Sequence, residues 1–276
     1  MKLVARGVTF EWPRRPLVMG IVNLGADSFS GDGLTDLEQA LEHARSLVRD
    51  GAEIIDVGAE SARTNRPAIG EEEEAETLIR FIERWKELAP LSINTWRPTV
   101  ARAALAAGGH LLNDIGGLPT EENARICAAA GAALVIMHSV GAPKVAHTSV
   151  AYADVMAELG KFFAGKIGIA EAAGLSRDAL LLDPGVDFAK QRADNLRIYR
   201  ELKSLTVFGR PILLPVSRKT VIGEVLNLPE PAERDAGTVA CIVEGMLQGA
   251  AIFRVHNVRA AVQTVRMIEA IQAAEA

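Results

Sequence analysis

LVMGIVN, residues 17–23, is a continuous apolar run that stops on a polar residue, Asn23. A strand half-exposed to water alternates apolar and polar residues. A run apolar throughout fits a parallel strand covered on both faces. The same unit recurs along the chain: AEIIDVG (52–58), LSINT (91–95), HLLNDI (110–115), AALVIMH (132–138), LLLDPG (180–185), PILLPVS (211–217) and AIFRVH (251–256). Between these runs lie alanine-rich amphipathic stretches at 35–50, 71–89, 98–108, 121–130, 152–173, 192–206, 234–249 and 258–273. Eight strands, each followed by a helix, define an α/β fold of the TIM (β/α)8-barrel kind. A doubly wound open sheet would not need eight units, and no Gly-x-Gly-x-x-Gly turn follows a strand. Residues 2–11 alternate and are expected to form a short N-terminal hairpin at the barrel bottom. The whole span 1–276 is read as one domain of 276 residues.

Composition narrows the function. The chain is 49% apolar and 24% charged, with a net charge of −5, which argues against nucleic acid and an anionic membrane as partners. Cys127 and Cys241 have no paired spacing and are read as free thiols. The first residues lack a signal-peptide apolar segment, and no run reaches membrane-spanning length, so a cytoplasmic location is expected. The acidic run Glu71–Glu74 is read as the solvated first turn of a helix, where carboxylates suit the dipole. His43 is placed on a helix surface and His110 at a strand start. His147, in the loop after strand five, is a candidate ligand contact.

Polar residues at the C-terminal ends of barrel strands read as an active site. Here they stand at nearly every end: Asn23; Asp56, then Glu60, Ser61 and Arg63; Asn94; Asn113 and Asp114; His138; Asp183; Ser217, Arg218 and Lys219; Arg254 and His256. Buried polar groups left unsatisfied cost a few kcal/mol each, so a cluster at one end implies a polar ligand. Arg63, Arg254 and His256 suit phosphate or carboxylate. Asn23 offers a carbonyl oxygen of the kind Mg²⁺ accepts. Asp183, Asn113 and Asn94 suit the edge of a heterocycle. No zinc-type spacing, Gly-x-Ser-x-Gly elbow or Walker loop is present.

MGIVN (19–23), DSFS (27–30), IIDVGAES (54–61), LLNDI (111–115), MH (137–138), LLLDPG (180–185), VSRKT (216–220) and RVH (254–256) together resemble the dihydropteroate synthase family, in order and over essentially the whole chain. The resemblance implies a transferase of folate biosynthesis. It would join 6-hydroxymethyl-7,8-dihydropterin pyrophosphate to 4-aminobenzoate and release pyrophosphate. It also implies a homodimer and Mg²⁺ held by Asn23. Arg63, Arg254 and His256 would bind phosphate. Asn94, Asn113, Asp183 and Lys219 would bind pterin, with Asn94, Lys219 and Arg63 carrying catalysis. Phe29, Ser61, Ala62, Thr64, Phe188, Ser217 and Thr220 would form the acceptor pocket.

The chain departs from the family pattern at several places. Asn94 stands where an aspartate is usual. Ala62 and Thr64 replace a threonine and a proline, Gly25-Ala26 replaces Thr-Pro, Asn257 replaces an aspartate, and Pro215-Val216 takes the place of a usual glycine. Two alternatives therefore stand beside the synthase reading: a paralogue with another acceptor or chemistry, and a non-catalytic pterin-binding protein.

Overall fold

The computed structural model describes residues 1–25, 34, 36–60, 68–86, 89–145 and 147–274. Strands β1 (Lys2–Ala5) and β2 (Val8–Glu11) pair antiparallel. Their two-residue turn, Arg6-Gly7, has φ of 44° and 82°. Such left-handed turns match the twist of a hairpin. The Arg6 amide donates to the Gly131 carbonyl at 2.7 Å, and its guanidinium reaches the carbonyls of Leu105 and Gly109. These carbonyls precede barrel strands, so the expected hairpin does cover the barrel bottom, with its own Leu3 and Ala5 buried.

The eight expected strands are present among the described residues. They are β3 (Leu17–Asn23), β4 (Ile54–Gly58), β5 (Leu91–Asn94), β6 (Leu111–Asp114), β7 (Ala133–Met137), β8 (Leu180–Asp183), β9 (Leu213–Pro215) and β10 (Ile252–Val255). They pair in parallel in the order β8-β7-β6-β5-β4-β3-β10-β9, and a parallel bridge between Leu182 and Ile212 brings the two ends together. The chain is thus a TIM barrel. Leu17, Ile54, Ile55, Leu111 and Phe253 are fully buried, as continuous apolar strands require.

Helices α1 (Leu37–Arg49), α2 (Glu71–Arg84), α3 (Pro98–Ala107), α4 (Glu122–Ala130), α5 (Val155–Ala172), α6 (Arg192–Glu201), α7 (Thr220–Leu226), α8 (Asp235–Leu247) and α9 (Val258–Ala273) surround the sheet. Asp36 and Asp154 cap α1 and α5 through their carboxylates. None of the described helices is long and apolar enough to cross a membrane.

Three expectations change. The segment 192–206 is not one α-helix: after Glu201 it tightens into a 3-10 stretch over Leu202–Phe208 and stops at Gly209, whose φ is 64°. Helix α7 was not expected, because its seven residues are too few to display a period. Asp187, 33 positions upstream of Thr220, supports its start by accepting from the Thr220 and Val221 amides. The Glu71–Glu74 run does open α2, but Glu74 is buried rather than solvated and pairs with Arg97.

Candidate active site

Adjacent strand residues point to opposite faces, and this decides which strand-end groups meet. Asn113 and Asp114 separate in this way. The Asp114 carboxylate accepts from Asn123 of α4 at 2.9 Å and from the Gly116 amide at 2.8 Å, outside the barrel mouth. Asn113 faces the other way, toward Asp56.

Asp56 is the centre of the arrangement. It is fully buried. One carboxylate oxygen accepts from the Ser92 hydroxyl at 2.5 Å and from Asn113 Nδ2 at 3.2 Å. The other accepts from Arg254 Nε at 2.7 Å and from Asn94 Nδ2 at 3.4 Å. The strands impose this meeting, since Asp56 is in register with Ser92 and Asn94 with Asn113. Asn113 Oδ1 is buried and has no hydrogen-bond partner among the described residues. A buried acceptor left open in this way is a place for a ligand donor.

Asp183 ends β8, buried, and accepts from the Gly185 amide at 2.7 Å. Burial raises its carboxyl from 3.8 to about 6, against the opposing pull of that amide and of Lys219, Lys190 and Arg254. Lys219 donates to the Val186 carbonyl at 2.8 Å and lies 5.1 Å from the Phe188 ring centroid. Burial lowers its ammonium below the ordinary lysine value. Beneath them Lys190 donates to the carbonyls of Gly185 and Phe188, each at 2.9 Å, and stands 2.9 Å from His138 Nδ1. Burial pulls Lys190 down to about 7 and His138 down to about 3, which keeps that imidazole neutral. Lys190 thus ties together the turn that carries Val186 and Phe188.

On the far side, His256 Nδ1 lies 2.8 Å from Ser217 Oγ, and its backbone amide donates to the same oxygen at 3.2 Å. Arg218, in contrast, turns away to pair with Asp235 at 2.8 Å. Asn257 accepts from the Ala260 amide at 3.1 Å and caps α9, so this departure from the family pattern keeps a structural role. Thr220 begins α7 beside Lys219.

A second network stands behind the site. Arg97 pairs with Glu60 at 2.5 Å and with Glu74, and donates to the Ile69 carbonyl at 3.2 Å. Lys144 joins Glu60 at 3.0 Å.

The structure therefore brings Asn94, Asn113 and Arg254 together around Asp56, sets Asp183, Lys219 and Phe188 along the β8–β9 side, and couples Ser217 to His256. Asn23 stands half-buried at the end of β3. Phe29, Ser61, Ala62, Arg63 and Thr64 lie outside the described residues. His110 accepts from the Leu91 amide, as befits a strand start. His147 packs its ring against Gly141, with Nε2 buried and without a hydrogen-bond partner among the described residues. Sequence reasoning gave Asp56 and Lys190 no role and overlooked Ser92. Ser92 had a signal, since it lies two residues before Asn94 and so shares its face.

A parallel barrel with a buried polar cluster at its C-terminal mouth defines a barrel enzyme that binds a polar small molecule. The family described as pterin binding enzyme matches residues 19–256. The Escherichia coli (strain K12) dihydropteroate synthase is 37% identical over 278 residues, covering 100% of this chain and 98% of that protein. The Bacillus subtilis dihydropteroate synthase is 38% identical over 265 residues, covering 95% and 90%. The Yersinia pestis dihydropteroate synthase, solved with a sulfonamide drug, superposes with a TM-score of 0.93 at 38% identity, covering 100% of both chains. The Xanthomonas albilineans enzyme, solved with 7,8-dihydropteroate, gives 0.88 at 35%, again over 100% of both. The chain belongs to the pterin binding enzyme family, among its dihydropteroate synthases, and is a transferase.

Proposed function

We propose that this chain, acting as one domain, condenses 6-hydroxymethyl-7,8-dihydropterin pyrophosphate with 4-aminobenzoate and releases pyrophosphate. The observation that carries the reading is the open acceptor Asn113 Oδ1, set in one barrel mouth with Asp183, Lys219 and Arg254. Acceptors and cations gathered in one mouth match a heterocycle with an amino edge and an anionic tail. Asn94, Asn113, Asp183 and Lys219 bind the pterin. Arg254 and His256, with Arg63, bind the phosphates, and Ser217 fixes the His256 ring. Ser217, Thr220 and Phe188, with Phe29, Ser61, Ala62 and Thr64, border the acceptor.

The reaction breaks the bond between the pterin methylene carbon and the pyrophosphate oxygen. Pyrophosphate leaves with the electron pair, which the basic groups stabilise. The arylamine nitrogen then bonds to the electron-poor carbon and loses a proton. Mg²⁺, when bound, would neutralise the leaving group. Asn23, at the end of β3, would hold it through its amide oxygen, the kind of donor that hard cations accept. A cytoplasmic homodimer is part of the same proposal.

The test is pyrophosphate release from the pterin pyrophosphate, with and without Mg²⁺ and 4-aminobenzoate. Release that needs both is expected. No dihydropteroate at any Mg²⁺ concentration would refute the reaction.

A further inference from the structure

We propose that Asp56 is a positioning residue that sets the hydrogen-bond polarity of the site, making Asn94 and Asn113 present carbonyl oxygens to the ligand. This rests on the pterin reading above.

An ionised carboxylate accepts hydrogen bonds and cannot donate one. Asp56 faces Ser92 and Asn94 of β5, Asn113 of β6 and Arg254 of β10. Asp56 is ion-paired with Arg254 Nε at 2.7 Å and accepts from every one of these neighbours. Each amide within its reach must therefore turn Nδ2 toward it, which sends Oδ1 the opposite way. The buried, unpartnered Asn113 Oδ1 is the direct consequence. An amide is otherwise free to present either end. Here Asp56, which need not touch the ligand, chooses the end.

The result is a site that asks for donors. Asn113, Asn94 and Asp183 all offer acceptors, so a ring edge carrying N–H and an amino group is favoured. A ring edge carrying a carbonyl oxygen is rejected, because acceptor would meet acceptor. The Arg254 fork is tethered through Nε by the same carboxylate, which leaves its terminal nitrogens to the anionic part of a ligand.

The experiment compares two probes by calorimetry: 6-hydroxymethylpterin, with its 2-amino group, and the 2,4-dioxo analogue that replaces this group by oxygen. The unaltered protein should prefer the amino compound by on the order of a hundredfold. Asp56→Asn can donate as well as accept, so it releases both amides, and the preference should fall by at least about tenfold. Equal weakening of both probes would mean that Asp56 only supports the fold, and would overturn the proposal. The double variant Asp56→Asn/Asn113→Asp restores an acceptor toward the ligand and a donor behind it, and should regain the preference. If the single variant does not fold, the double variant decides: recovered preference supports the proposal and a lost one overturns it. No preference in the unaltered protein would sink the pterin reading itself.

Discussion

At the residue scale, the pterin role proposed for Asp183 would couple ligand binding to pH. Its buried carboxyl is held up at about 6, above the ordinary 3.8. The ionised form is the one able to accept from a ligand N–H, so pterin affinity should fall as pH drops through about 6 and level off above it. Calorimetric titrations from about pH 5 to about pH 8 measure this, and Asp183→Ala should abolish binding. Unchanged affinity in that variant would remove Asp183 from the ligand edge. The same shift acts on stability. Between 3.8 and about 6 the folded chain holds a proton that the unfolded chain has released, so the stability of the ligand-free protein declines as pH rises across this window. Asp114, also raised to about 6 by burial, adds to the decline. Ligand-free melting temperatures that rose over the same window would contradict this.

At the scale of elements, Arg97 joins pieces that sequence separates. Its guanidinium reaches Glu60 after β4, Glu74 in the first turn of α2 and the Ile69 carbonyl between them. Glu60 and Glu74 precede and follow the segment that holds Ser61, Ala62, Arg63 and Thr64, so Arg97 fixes both stems of that connection. Breaking a buried ion pair from one side strands the other charge and costs about 3–5 kcal/mol. Arg97→Met should therefore lower the melting temperature by on the order of 10 °C. Arg97→Lys, which keeps the charge but not the fork, should lie between. A melting temperature unchanged in Arg97→Met would show that the two carboxylates do not depend on this arginine.

At the scale of the whole molecule, the helix shell rests directly on the barrel wall. Gly245 of α8 marks one close approach. A Cβ there would meet Phe253 Cε1 at 2.7 Å and Leu214 Cδ2 at 2.8 Å, on strands β10 and β9. Both neighbours are fully buried and have little room to yield. Gly245→Ala should cost about 1–3 kcal/mol through overpacking, even though alanine is the better helix former. The shift in denaturation midpoint measures it, and a stabilised variant would show that α8 can move off the barrel.

The sequence alone determined the barrel, its direction and the end that carries the site. Continuous apolar runs separated by amphipathic stretches admit few other arrangements, and polar residues such as Asn113 and Asp183 stop those runs at one end. It also supplied the candidate residues at the strand ends, because they are local to the apolar runs. Tertiary structure decided what depends on register and on contacts between distant segments. It turned Asn113 into the mouth and Asp114 out of it, buried Glu74 against Arg97, and started α7 on Asp187. Above all, it gathered Ser92, Asn94, Asn113 and Arg254 on Asp56. These donors come from three strands, and Arg254 is 198 positions from Asp56 in the chain. No local pattern encodes that meeting; barrel closure and strand register create it.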